Sequence, residues 1–123
     1  MKKIIIPILF SLLFVSCYQQ ERNCNDFKTG EFQFELEIDS IKEVSVFKRT
    51  DSLQIETFRG KTDTSSVRWI NDCEFVLQKI NPKNMQEKKS IHMKILSTND
   101  EGYTFEFGFV GDANKQKGFV TKL

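Results

Sequence analysis

Three cysteines and a single histidine are the residues of this chain best suited to covalent or metal chemistry, and their spacing gives them little to share. Cys17 and Cys24 stand seven residues apart in LLFVSCYQQERNC, and Cys73 follows 49 residues after Cys24. A structural zinc site needs four nitrogen or sulfur ligands, usually as closely spaced cysteine and histidine pairs. No CxxC pair and no second histidine occur here. His92 sits in SIHMKILST out of phase with Ile91 and Met93, the place of a surface or rim residue. A serine hydrolase would need a GxSxG elbow, or a serine sharing His92 with an acid, and no such elbow is present. An envelope hydrolase with a carboxylate or serine centre is the minor alternative, and it requires His92 in a buried cluster with an acid.

The remaining charged and flexible residues read as structure. Glu31, Glu35 and Glu37 lie on the polar face of an alternating segment, where solvated charge belongs. In GDANKQKG, Asp112, Lys115 and Lys117 resemble a small anion site, but Gly111 and Asp112 suit a hairpin turn and the lysines suit the guarding of an edge. Gly108, Gly111 and Gly118 punctuate strands and a turn and lead into no helix, so no phosphate-cradling loop is formed. The reading is non-enzymatic: no catalytic residue, no cofactor and no metal.

The N-terminus carries the address. Lys2 and Lys3 precede an almost wholly apolar run from Ile4 to Val15, the layout of a secretory signal peptide. Those twelve residues are too few to span a bilayer, which takes about 20. The run ends in Leu13, Phe14, Val15, Ser16 and Cys17. This resembles the lipobox of bacterial lipoproteins, with Ser16 at the small position and Cys17 as the lipidated cysteine and mature N-terminus. Phe14 departs from the usual leucine. The resemblance implies a chain anchored in the membrane through N-terminal acyl groups, each buried methylene contributing about 0.8 kcal/mol. Tyr18 stands where an inner-membrane retention signal places aspartate, which points to the outer membrane. The chain divides into a signal peptide (1–16), a lipidated tether (17–28) and a folded domain (29–123).

Loss of residues 1–16 takes two lysines, leaving 16 basic residues against 17 acids and a net charge of about minus one. That is no field for nucleic acid. The mature chain is enough for one domain with a core. Ten of the twelve phenylalanines remain in it, so the core is expected to be built around them. In an oxidising envelope Cys24 and Cys73 are the two thiols left, and they can pair. Alternatively, Cys73 is a small core residue and Cys24 lies in the linker.

The segment GEFQFELEID alternates strictly, Phe32, Phe34, Leu36 and Ile38 on one face and glutamates and Gln33 on the other, as a half-buried antiparallel strand does. Further strand-like runs follow in KEVSVFKR, SLQIETFRG, SSVRWI, CEFVLQKI, SIHMKILST, GYTFEFGFVG and GFVTKL. In NPKNMQEKK, Asn81 and Pro82 could open one helical turn. The fold class is all-β: a single antiparallel meander of about eight strands curled into a lipocalin-like small barrel or half-barrel, since closure removes exposed edges. At eight strands the interior is filled by side chains or holds one small ligand. Tyr103, Phe105, Phe107 and Phe109 share one face of the seventh strand, which favours a packed interior. An enclosed void of about 300 Å³ or more, lined by Phe105, Phe107 or Trp69, would favour ligand binding. Trp69 reads first as a plug in the barrel floor and second as part of a ligand wall.

The stretches RNCNDFKTGEF and TSSVRWINDCEFVLQKINPK resemble a group of small flavobacterial-type lipoproteins without a defined molecular role. The matching residues are Cys24, Lys28, Thr29, Gly30, Phe32, Trp69, Asp72, Cys73 and Glu74. The paired recurrence of Cys24 and Cys73 in that pattern supports the disulfide. Some similar chains carry a topoisomerase IV label, which this sequence does not support: it has no nucleotide-binding loop and far too little protein for a DNA gate. The expected function is that of an envelope binding or interaction module, meeting a protein partner or taking a small apolar ligand.

Overall fold

The computed structural model describes residues 22–123, so the signal peptide, Cys17 and the first part of the tether lie outside the described residues. Eight strands follow one another in order: β1 (Gly30–Ile38), β2 (Ile41–Arg49), β3 (Leu53–Phe58), β4 (Lys61–Asn71), β5 (Glu74–Lys79), β6 (Ile91–Thr98), β7 (Gly102–Phe109) and β8 (Gln116–Lys122). Each pairs antiparallel with the next, and β1 closes onto β8 through Phe32↔Lys122, Gln33↔Thr121 and Phe34↔Val120, making a closed barrel. Strand β4 begins at Lys61, four residues before the expected SSVRWI run.

Tight turns set the register at the end we term the mouth. Asp39 and Ser40 join β1 to β2 with φ of 52° and 65°, and Arg59 and Gly60 join β3 to β4 with φ of 51° and 74°. Positive φ at both positions matches the twist of the flanking strands in a two-residue hairpin. At the opposite end, the floor, the Asn99 side-chain oxygen accepts from the amides of Glu101 and Gly102 and so closes the β6–β7 turn. Gly102 is required there, because a Cβ would stand 1.8 Å from the Val120 carbonyl oxygen of β8. The segment after β5 makes bends and turns but no helix: Asn81 takes φ of 58°, and Asn84 accepts from the Glu87 amide.

Residues Cys24–Phe27, which fall within the polar stretch 17–28, form a single 3₁₀ turn, η1, that packs under the floor with both Cys24 and Phe27 buried. The Cys24–Cys73 disulfide fixes it to the β4–β5 hairpin, with Cα atoms 5.3 Å apart. Lys122 Nζ donates to the Asp26 carbonyl at 2.8 Å, and the Ile95 amide donates to the Cys73 carbonyl. Register shifts at Trp69/Asn71 and Ile95/Ser97 lie on the two strands flanking this point. Bulges of this kind sharpen local twist, which suits a barrel wall turning inward over its floor.

The aromatic core forms the lower half of the interior. Phe32, Phe75 and Ile95 are fully buried, each contributing about 1.5–3 kcal/mol. Phe32 stacks on Phe47 at 5.2 Å, Trp69 tilts on Phe75 at 4.5 Å, and Tyr103 meets Phe27 and Phe32 edge-on.

Candidate functional site

Two of the strands are inside out with respect to hydrophobicity. On β2 and β3 the apolar residues Val44, Val46 and Ile55 face outward and are exposed, while Ser45, Arg49 and Gln54 are buried and Glu56 is half-buried within the barrel. Because side chains alternate with period two, the pairing register that puts Phe47 inside brings these polar groups in with it. Buried polar residues are the informative exception in a protein interior.

Arg49, at the end of β2, is 1% exposed. Its Nε donates to the Lys28 carbonyl at 3.0 Å, Nη1 to Gln54 Oε1 and the Tyr103 hydroxyl, and Nη2 to the Phe27 carbonyl and the same hydroxyl. Its guanidinium carbon lies 4.7 Å from the ring centres of both Phe32 and Phe75. No carboxylate pairs with Arg49 among the described residues; carbonyl dipoles and π faces hold the charge. Burial pushes the Tyr103 phenol above its usual range, and the Arg49 charge opposes that shift only in part.

Above this floor the interior opens. A cavity of about 190 Å³ has Phe34, Phe105, Phe107, Met93 and Ile91 on one side and Ser45, Gln54 and Glu56 on the other. Phe105 and Phe107 are stacked at 5.4 Å, and Phe34 meets Phe105 edge-on at 5.5 Å. Ser45 Oγ donates to Glu56 Oε1 at 2.8 Å. A second space of about 290 Å³ shares Gln54, Glu56, Leu77 and Ile91 with the cavity and reaches the mouth. There Lys79 meets Glu87 at 2.7 Å and Asp63 at 3.4 Å, tying the β5–β6 segment across the opening. Their hydrogen bond raises the Lys79 pKa and lowers that of Glu87.

Of the three residues marked as ligand-wall candidates, Phe105 and Phe107 line the cavity, and Trp69 does not. Trp69 lies in the floor between Phe75 and the Lys28 ammonium, which is 5.0 Å from its ring centre. The cavity is smaller than the size that would by itself favour ligand binding, and the interior as a whole is packed below and hollow above.

His92 lies half-buried on the outer wall, with Nε2 3.2 Å from Glu74 Oε1. Glu74 is held below the usual carboxylate range, first by the hydrogen bond from Asn71 and more weakly by His92 and Lys94. No hydroxyl or thiol hydrogen-bonds to His92 among the described residues. His92 borders an open groove of about 940 Å³ beside the β7–β8 turn. In that turn Asp112 accepts from the Asn114 amide and Lys115 Nζ approaches the Phe109 carbonyl, so both are spent on local structure. Among the described residues no group of three or more His, Cys, Asp or Glu could hold a metal ion.

The sequence reading missed Arg49, Gln54 and Glu56. A signal was available: Arg49 shares phase with Phe47, and Gln54 and Glu56 share phase with Phe58. No protein-family model, curated protein or solved structure matches the chain.

Proposed function

We propose that the protein is a lipid-anchored, non-enzymatic binding module of the bacterial cell envelope that takes a small, largely apolar ligand into the upper half of its barrel. The observation that carries the binding part is the lining of the upper cavity, an aromatic wall of Phe34, Phe105 and Phe107 set against Ser45, Gln54 and Glu56 around about 190 Å³. A dry apolar cavity of about 150 Å³ is enough to bind benzene, so the space suits one ring with a short side chain. The polar space above it would receive a head group. The anchor rests on the run from Ile4 to Cys17 and its likeness to the lipobox; the tether would hold the barrel at the membrane surface, and Tyr18 after the cysteine supports the outer membrane.

A second reading has its own support. Val44, Val46 and Ile55 are 46%, 39% and 36% exposed on the outer wall of β2 and β3, an apolar face suited to a protein partner in the envelope.

Two measurements test the proposal. Cys17→Ala is expected to move the protein from the membrane to the soluble fraction, and unchanged membrane fractionation would remove the anchor. Propylbenzene is expected to raise the thermal midpoint, a hundredfold excess over Kd adding about 2.7 kcal/mol. An unmoved midpoint, with no NMR shifts around Phe105 and Phe107, would remove the cavity as a binding site.

A further inference from the structure

We propose that the ligand of the upper cavity carries a protonated amine, received by the Glu56 carboxylate against an aromatic wall; the inference rests on the cavity being a binding site. Three carboxylates, Glu56, Asp63 and Glu87, and two lysines, Lys79 and Lys89, line the space leading to the cavity, a balance of one negative charge. Lys79 is engaged by Asp63 and Glu87 together. Lys89 has its ammonium 5.3 Å from the Phe109 ring centre. Glu56 is the lining carboxylate that makes no ion pair among the described residues. Its Oε1 accepts from Ser45, and its Oε2 has no protein donor there.

Glu56 also stands directly across from Asp63 on the neighbouring strand. Like charges placed opposite each other on adjacent strands repel, so a cation arriving at Glu56 relieves a standing repulsion as well as gaining a charge-assisted hydrogen bond. The facing wall adds to the selection, because the negative faces of aromatic rings attract ammonium groups.

An acidic ligand finds no equivalent. Arg49, the cation at the base of the cavity, has its guanidinium nitrogens committed to Phe27, Lys28, Gln54 and Tyr103. Gln54, whose Oε1 is taken by Arg49, has only a neutral amide N–H to offer. Within the cavity itself Glu56 is therefore an open charged acceptor and there is no open charged donor among the described residues; Lys89 lines only the space above it, over the Phe109 ring.

The test compares three probes of similar size on the purified chain with its disulfide intact: phenethylamine, propylbenzene and 3-phenylpropionate, by calorimetry at neutral pH. Phenethylamine is expected to bind at least tenfold tighter than propylbenzene, with 3-phenylpropionate weakest. Glu56→Gln, which keeps the side-chain size and an oxygen for Ser45, is expected to erase the amine preference, bringing phenethylamine down to the affinity of propylbenzene. Equal affinity for the three probes, tighter binding of the acid, or an equal loss of all three in Glu56→Gln would overturn the amine assignment while leaving the cavity a binding site. Binding of none of them would overturn the cavity reading itself.

Discussion

Replacing Arg49 with alanine is expected to destabilise the fold by about 4 kcal/mol, a large part of the roughly 5–15 kcal/mol that holds a domain of this size together. The guanidinium is the common donor to the Phe27 and Lys28 carbonyls, Gln54 and Tyr103, so its removal strands several acceptors at once. A buried acceptor left unsatisfied costs about 1–3 kcal/mol, and the lost stem adds a cavity beneath Phe32 and Phe75. Against this stands the cost of burying an unpaired cation, which the substitution removes. The acceptors should win, because the π faces of Phe32 and Phe75 already offset part of the charge. Arg49→Met keeps the stem and removes charge and donors together, so it separates the lost packing from the balance of the two polar effects. In urea Arg49→Met is expected to be less destabilised than Arg49→Ala. A Met variant more stable than the parent would show that the charge costs the floor more than its hydrogen bonds return.

Tyr103 provides a second readout of the same network. Burial raises its phenol above the ordinary tyrosine range, and Arg49 partly offsets the shift. A folded pKa above the unfolded one means that stability is fully present below about pH 10 and is lost as pH rises through the folded value. Arg49→Met removes the offset. The phenol of the folded variant is pushed further up, which enlarges the stability lost in alkali; because the variant also starts less stable, its alkaline unfolding, and the tyrosinate absorbance that appears with it, should come at lower pH than the parent's.

The strand order and the inward face of β1 were legible because strict alternation in GEFQFELEID admits one assignment: Phe32 in, Glu31 and Glu35 out. The aromatic face of β7 was legible for the same reason, with Tyr103 and Phe105 buried. The inversion of β2 and β3 was harder, since hydrophobicity alone sends Val44, Val46 and Ile55 inward. Register decides against it: Phe32↔Phe47 pairing with both rings inside commits Ser45 and Arg49 to the interior. An arginine at a strand end also reads as a solvated residue until its acceptors are known, and two of those are backbone carbonyls, of Phe27 in η1 and of Lys28 just after it, that no sequence pattern displays. The turn itself hid in a polar stretch, marked only by Cys24 and Phe27.

Opening the Cys24–Cys73 bond, by reduction or by a double Cys→Ser substitution, is expected to lower stability by up to about 4 kcal/mol, the chain-entropy value for a loop of some 50 residues. Its local effect should be larger than its distance from the cavity suggests. The bond clamps η1 against the floor, and η1 supplies the Phe27 carbonyl, with Lys28 just beyond it, to Arg49. The Lys28–Asp72 ion pair and the Lys122 Nζ hydrogen bond to the Asp26 carbonyl also hold this segment, but both are at the surface, where an ion pair contributes about 0–1 kcal/mol. Once the clamp is open, η1 can leave the floor and water can reach the guanidinium. Arg49 then has less to lose, so the two perturbations should be coupled. In a double-mutant cycle, Arg49→Met should cost at least about 1 kcal/mol less in the Cys→Ser background than in the parent, within the range seen for residues sharing one network. Strict additivity would mean that η1 stays seated without its disulfide, held by Phe27 against Tyr103 and by the arginine alone.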